Sequence, residues 1–273
     1  MSSSATLRGA RRSSGVSLPT IDIMGCRINR VSLNDAVDQL EQWICAPLER
    51  VRFVVATGFH GMWEAHRNAE FKRLLNGADM FCPDGIAPVW LSRLQGEPLC
   101  GRIPGPDLLE AFVGRAHEKG YSSFFLGDSA ETLAALEARS QAEFPGHRIA
   151  GLLSPPFRAL TPQENAQIVE TINRSRPDVL WVALGLPKQE RWIYEHLDRL
   201  RVPVAVAVGA AFGFFSRRVR RAPEWMGNYG LEWLWRLATE PRKVWRRDII
   251  DGPRFLAVAL RETLRARASA RRQ

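Results

Sequence analysis

Residues 122–144, SSFFLGDSAETLAALEARSQAEF, pass from an apolar run through Gly127-Asp128-Ser129 into an Ala/Leu/Glu-rich stretch with helical spacing. A strand, a glycine turn and a helix in that order form a β-α unit. Downstream the rhythm repeats. HRIAGLL (147–153) reads as a strand, and TPQENAQIVETINRS (161–175) as a helix opened by Thr161, Pro162 and Glu164 in a capping-box arrangement. DVLWVAL (178–184) and VPVAVAV (202–208) are unbroken apolar runs, the pattern of strands covered on both faces. Upstream, Ser32 to Asp35 has the spacing of a helix start, Val51–Ala56 reads as a buried strand, and Met80–Cys82 as a short one. Between them a single helix is expected over Met62–Leu75, with further helices over 86–94 and 107–119. Alternation of this kind predicts an α/β fold, a Rossmann-like sandwich around a mainly parallel sheet. No internal repeat of fixed period interrupts it.

With 273 residues, 45% of them apolar, the chain is long enough for a sizeable core. Cys26, Cys45, Cys82 and Cys100 lie far apart without zinc-ligand spacing, and read as reduced core residues of a cytoplasmic protein. Residues 1–20 are basic and Ser/Gly-rich and lack the apolar stretch of a signal peptide, so a disordered lead-in is expected. No window approaches a membrane span. The net charge of +9 is very unevenly placed: residues 1–213 hold 23 Lys/Arg against 23 Asp/Glu, whereas 214–273 hold 15 against 6. The expected organisation is an α/β core over 21–213 followed by a basic, Trp-rich helical appendage over 214–273.

In open parallel sheets, ligands bind outside the carboxyl ends of the strands. That rule selects Thr57, Asp84, Gly127-Asp128 and the segment Gly185 to Glu190, each of which follows an apolar run. Asp84, between Pro83 and Gly85, fits two roles. It is a favourable turn residue, and it is also a carboxylate whose partial burial would raise its pKa toward that of a general base. Arg102 fits a solvated loop residue or a bidentate phosphate clamp, and Asp107 a helix-dipole partner. In GLPKQERW (185–192), Lys188, Gln189 and Glu190 occupy a first helical turn, which serves either as an ordinary cap or as a site for an anion or sugar hydroxyl. His60, after another strand end, fits helix capping or packing rather than catalysis.

No GxGxxG fingerprint and no GxxxxGK[ST] loop is present, which counts against a nucleotide-dependent oxidoreductase and a P-loop enzyme. No Asp-x-Asp pair or HExxH spacing calls for a metal, and no cofactor is expected. The stretch RRVRRAPEWMGNYGLEWLWRLATEPRKVWRRDI (217–249) interleaves Trp225, Trp233, Trp235 and Trp245 with arginines. Such interleaving suits an anionic membrane surface, a nucleic acid or a helical cap packed on the body.

Taken in order, Thr57, FKRLLNGADMFCPDGIAPVW (71–90), the loop from Arg102 to Asp107, FFLGDS (124–129), VALGLPKQERWI (182–193), VGAAFGFF (208–215) and the stretch 220–247 resemble the WecG/TagA/CpsF family of bacterial glycosyltransferases over residues 21–248. The resemblance implies an inverting, metal-independent transfer of a hexose-type sugar from a UDP-sugar to a polyprenyl-diphosphate-linked saccharide in cell-surface polysaccharide synthesis. It further implies a peripheral enzyme on the inner face of the bacterial cytoplasmic membrane, with no nucleic-acid partner and possible homo-oligomers. By residue match, Asp84 is the base, with Thr57, Arg102 and Gln189 at the other active-site positions. His60, Asp107, Gly127, Asp128, Gly185, Lys188 and Glu190 are then candidate donor or acceptor contacts, and Arg221, Arg236 and Arg242 the lipid-diphosphate contacts. Two positions depart from the family pattern: Phe59, where many members have Asn, and Gly213, where Asp is usual.

Overall fold

The computed structural model describes residues 18–270; the expected disordered lead-in therefore falls largely outside the described residues. Two short strands, β1 (Thr20–Ile23) and β2 (Cys26–Asn29), form an antiparallel hairpin that the sequence reading did not anticipate. Its two-residue turn places both Met24 (φ 56°) and Gly25 (φ 75°) in the left-handed region, as a hairpin with the natural strand twist requires.

The body then alternates helices and strands: α1 (Leu33–Cys45), β3 (Arg52–Thr57), α2 (Phe59–Arg67), α3 (Ala69–Asn76), β4 (Met80–Pro83), α4 (Ile86–Gln95), α5 (Gly105–Lys119), β5 (Ser122–Gly127), α6 (Ala130–Glu143), β6 (Arg148–Leu153), α7 (Pro162–Ser175), β7 (Val179–Ala183), α8 (Lys188–His196), β8 (Val204–Ala207) and α9 (Ala211–Phe215). Strands β3 to β8 make one six-stranded sheet in the order β4-β3-β8-β7-β5-β6, and every pairing in it is parallel. Each face carries its own core. Phe53, Val55, Phe124, Leu126, Leu180 and Val182 pack under α2, α3, α7 and α8. The alternate residues Val54, Ala56, Phe125, Trp181 and Val206 pack under α1, α5, α6 and α9. Two-sided burial is why these strands show no polar alternation.

The expected capping boxes are present: Ser32 with Asp35 opens α1, and Thr161 with Glu164 opens α7. The single helix expected over Met62–Leu75 is instead two. Asn68 closes α2, and its Oδ1 accepts the Phe71 N–H at 3.0 Å, capping α3. The cysteines also divide, with Cys26 and Cys82 buried but Cys45 and Cys100 exposed, so only two of them are core residues.

Beyond the body come three short helices, α10 (Glu224–Asn228), α11 (Glu232–Thr239) and α12 (Pro241–Trp245). A π-helical turn, Arg246–Asp251, then leads into α13 (Gly252–Ala270). Phe255 and Ala259 of α13 are buried in the core of the body. Among the described residues no helix is long and apolar enough to cross a membrane.

Candidate active site

A cleft of about 850 Å³ opens at the carboxyl edge of the sheet. The ends of β3, β4, β5, β7 and β8 contribute Thr57, Asp84, Asp128, Gly185 and Gly209 to it, and the appendage forms the opposite wall with Glu232, Trp233, Arg236, Arg247 and Phe255.

Asp84 follows β4 directly. Its N–H donates to the Thr57 carbonyl at 3.0 Å, carrying the β3–β4 ladder one step past the strand. A Cβ at Gly58 would overlap the Asp84 carbonyl, so glycine is what lets the two strand ends close together. Gly85, at φ 97°, then turns the chain into α4. The side chain points at the start of α5, where the Gly105 N–H donates to Asp84 Oδ2 at 3.4 Å. Withdrawal from water, reinforced by the nearby Glu232 carboxylate, pushes Asp84 up to about 6; the Gly105 N–H and Arg102 pull it the other way.

Arg102 lines the cleft and donates to Glu232 of α11 at 3.0 Å. Gly227 of α10 lies against its guanidinium so closely that a Cβ there would overlap it. Thr57 is buried. Gln189 is buried at the cleft floor, where its Oε1 accepts the N–H groups of Gly185 at 3.2 Å and Gly209 at 3.1 Å. The loops after β7 and β8 are thus tied by one amide. All four residues assigned to the active-site positions therefore face one cleft.

The remaining candidates divide. His60, Asp128 and Gly185 line the cleft, and burial together with Arg247 lowers the His60 pKa. Asp128 Oδ1 accepts the Ser129 N–H at 2.7 Å, in a residue held at φ 56°. Gly127 is not a cleft residue; it spaces two strand ends, because a Cβ would strike the Ala183 carbonyl. Lys188 is exposed on α8 and away from the lining. Glu190 is fully buried and also off the lining, with burial pushing it up to about 7. Asp107 pairs with Arg221, and neither lines the cleft. Of the three appendage arginines only Arg236 does, with its guanidinium over the Phe214 ring at 5.8 Å, while Arg242 lies exposed on α12. Phe59 faces the cleft and its ring meets Phe255 at 5.6 Å, whereas Gly213 is buried in α9, away from the lining.

Three charged cleft residues escaped the sequence reading: Glu232, Arg247 and Asp248. The π-helical turn brings Arg247 and Asp248 to the wall, joined by contacts of 2.6 and 2.9 Å, with Arg247 over the Phe59 ring at 5.9 Å. Their only sequence signal was a charged run in the basic tail. Glu232 was missed for the same reason. Among the described residues no group of His, Cys, Asp or Glu is placed to hold a metal ion.

A carboxylate beside arginines, at the carboxyl edge of a parallel sheet, fits a group-transfer enzyme on a Rossmann-like body. The chain belongs to the glycosyl transferase WecG/TagA/CpsF family, whose sequence profile matches residues 21–269. It is 34% identical over 219 residues to an N-acetylglucosaminyldiphosphoundecaprenol N-acetyl-beta-D-mannosaminyltransferase of Bacillus spizizenii, covering 80% of this chain and 81% of that protein. Proteins of the same name are 30% identical in Bacillus subtilis, over 72% of this chain and 75% of theirs, and 25% identical in Staphylococcus aureus, over 83% and 87%.

Proposed function

We propose that this chain moves a hexose-type sugar from a UDP-sugar to a polyprenyl-diphosphate-linked saccharide, inverting the anomeric centre without a metal ion. The observation that carries this reading is Asp84, a carboxylate raised to about 6 and aimed into the cleft beside Arg102. In it, the carboxylate takes the proton of the acceptor hydroxyl as that oxygen attacks the anomeric carbon and the UDP oxygen leaves. Arg102, Arg236 and Arg247 line the same cleft and would meet the phosphate charge that a metal ion otherwise meets. The names of the three relatives supply the acceptor class, a saccharide on undecaprenyl diphosphate. Phe59, a departure from the family pattern expected from the sequence, lines the cleft and bears on which hexose is taken.

In this reading residues 21–213 carry the chemistry. Residues 214–273 associate with the anionic inner face of the bacterial cytoplasmic membrane and close the site. The test is UDP release from a panel of UDP-GlcNAc, UDP-ManNAc, UDP-glucose and UDP-glucuronate with a short-chain prenyl-diphosphate GlcNAc acceptor. One donor is expected to turn over, and Asp84→Asn to lose on the order of 10²-fold or more in kcat. A folded D84N protein with unchanged turnover rejects the assignment of the base. Treatment with EDTA is expected to leave the rate unchanged; a loss restored by Mg²⁺ or Mn²⁺ rejects the metal-independent step.

A further inference from the structure

Glu190 is the most deeply buried carboxylate beside the cleft, fully withdrawn from solvent yet off the lining. A carboxylate in such a place is costly unless it is well partnered. Its Oε1 accepts the Gln189 Nε2–H at 2.9 Å, and its Oε2 has no side-chain or backbone partner among the described residues. Stability does not account for it, since an apolar side chain of similar size would fill the space without the desolvation cost. What it does touch is the amide that ties the loops after β7 and β8.

The Gln189 amide can be read one way round only. Two backbone donors, Gly185 N–H and Gly209 N–H, converge on one end, which must be the oxygen. The other end must then be the NH₂ group, and Glu190 accepts one of its two hydrogens. Among the described residues the second hydrogen has no acceptor, and Gln189 lines the cleft. Rotation of the amide would set NH₂ against two N–H donors and the oxygen against a carboxylate.

We infer that Glu190 is a positioning residue: it locks the orientation of the Gln189 amide, so that one N–H is presented to the substrate and the two cleft-floor loops stay joined. The inference rests on the reading of Gln189 as a substrate contact. It assigns Glu190 to the reaction through another residue, not through the donor or acceptor contact its sequence position suggested.

The test is a double-substitution cycle on the full chain with the UDP-sugar panel and short-chain acceptor. Glu190→Met relieves the buried carboxylate but leaves a Gln189 N–H without its acceptor, and is expected to keep the protein folded while lowering kcat/KM about tenfold, a coupling of ordinary size for neighbouring residues. In a Gln189→Ala background the same change is expected to lower kcat/KM no further. An equal loss in both backgrounds, or full activity in E190M, overturns the inference. If Q189A alone costs nothing, the reading of Gln189 itself fails, and that outcome is separate from the other two. Should E190M not fold, Glu190→Gln keeps an acceptor for the amide. It is expected to retain kcat/KM within about threefold and to shift the Gln189 side-chain amide resonance, and an unshifted resonance overturns the inference.

Discussion

Asp84 sits between opposing influences, and their balance sets its chemistry. Burial and the carboxylates of Glu232 and Asp107 favour the neutral acid, while the Gly105 N–H and Arg102 favour the anion. The outcome, about 6 against an ordinary 3.8, leaves a carboxylate that is ionised at neutral pH yet more basic than a free aspartate, as the proposed base should be. The rate should therefore rise with pH through about 6, and Glu232→Gln, by removing a like charge, should move that limb to lower pH; a pH–rate profile of both proteins checks this. The sign for stability is opposite. Because the folded pKa is raised, the contribution of Asp84 to stability is fully present below about 3.8 and is lost as pH rises through about 6. At pH 8 D84N is accordingly expected to melt several degrees higher than the wild type. Melting curves at pH 8 and pH 4 distinguish the effect, which should vanish at the lower value.

At the level of elements, Asn68 shows what hydrophobic spacing conceals. Met62, Ala65, Phe71, Leu74 and Leu75 are all buried, so the apolar stripe continues across the break and reads as one helix. The break lies in the backbone, where Asn68 stops α2 and caps α3. Asn68→Ala should cost about 1 kcal/mol, a Tm lower by about 2–4 °C, with kcat/KM unchanged because Asn68 does not line the cleft. Thermal melts beside steady-state rates test this. The sheet was legible because β5, β7 and β8 are buried on both faces and so are unbroken apolar runs. The β1–β2 hairpin was not, since its turn uses Met24 where Asn or Asp would have signalled it. Asp84 was legible as a carboxylate at a strand end. Arg247 and Asp248 were not, because a π-helical turn decides which way they face and no spacing in the sequence marks it.

Across the whole molecule, the segment that holds the net charge is also the wall of the cleft. The ion pair of Arg102 with Glu232 and that of Asp107 with Arg221 both join the body to this segment. Removing residues beyond 214 would also strip Phe255 and Ala259 from the core, so truncation would confound folding with the proposed membrane attachment. Point substitutions on the outer surface separate them. Trp225, Tyr229, Trp245, Ile249, Leu256 and Leu264 are each about half exposed or more. Among them, Trp245 and Ile249 lie off the cleft lining, on the stretch that also carries exposed Arg242 and Arg246. Each large apolar side chain withdrawn from water is worth about 1.5–3 kcal/mol, and each nearby Arg about 1 kcal/mol at an anionic surface. Replacing Trp245 with Ala and Ile249 with Ser should therefore lower binding to phosphatidylglycerol vesicles on the order of 10²-fold. Affinity for UDP should stay unchanged, and added salt should weaken the residual binding further. Flotation with such vesicles, beside a UDP titration, measures both, and undiminished flotation of the double variant rejects this surface as the membrane face.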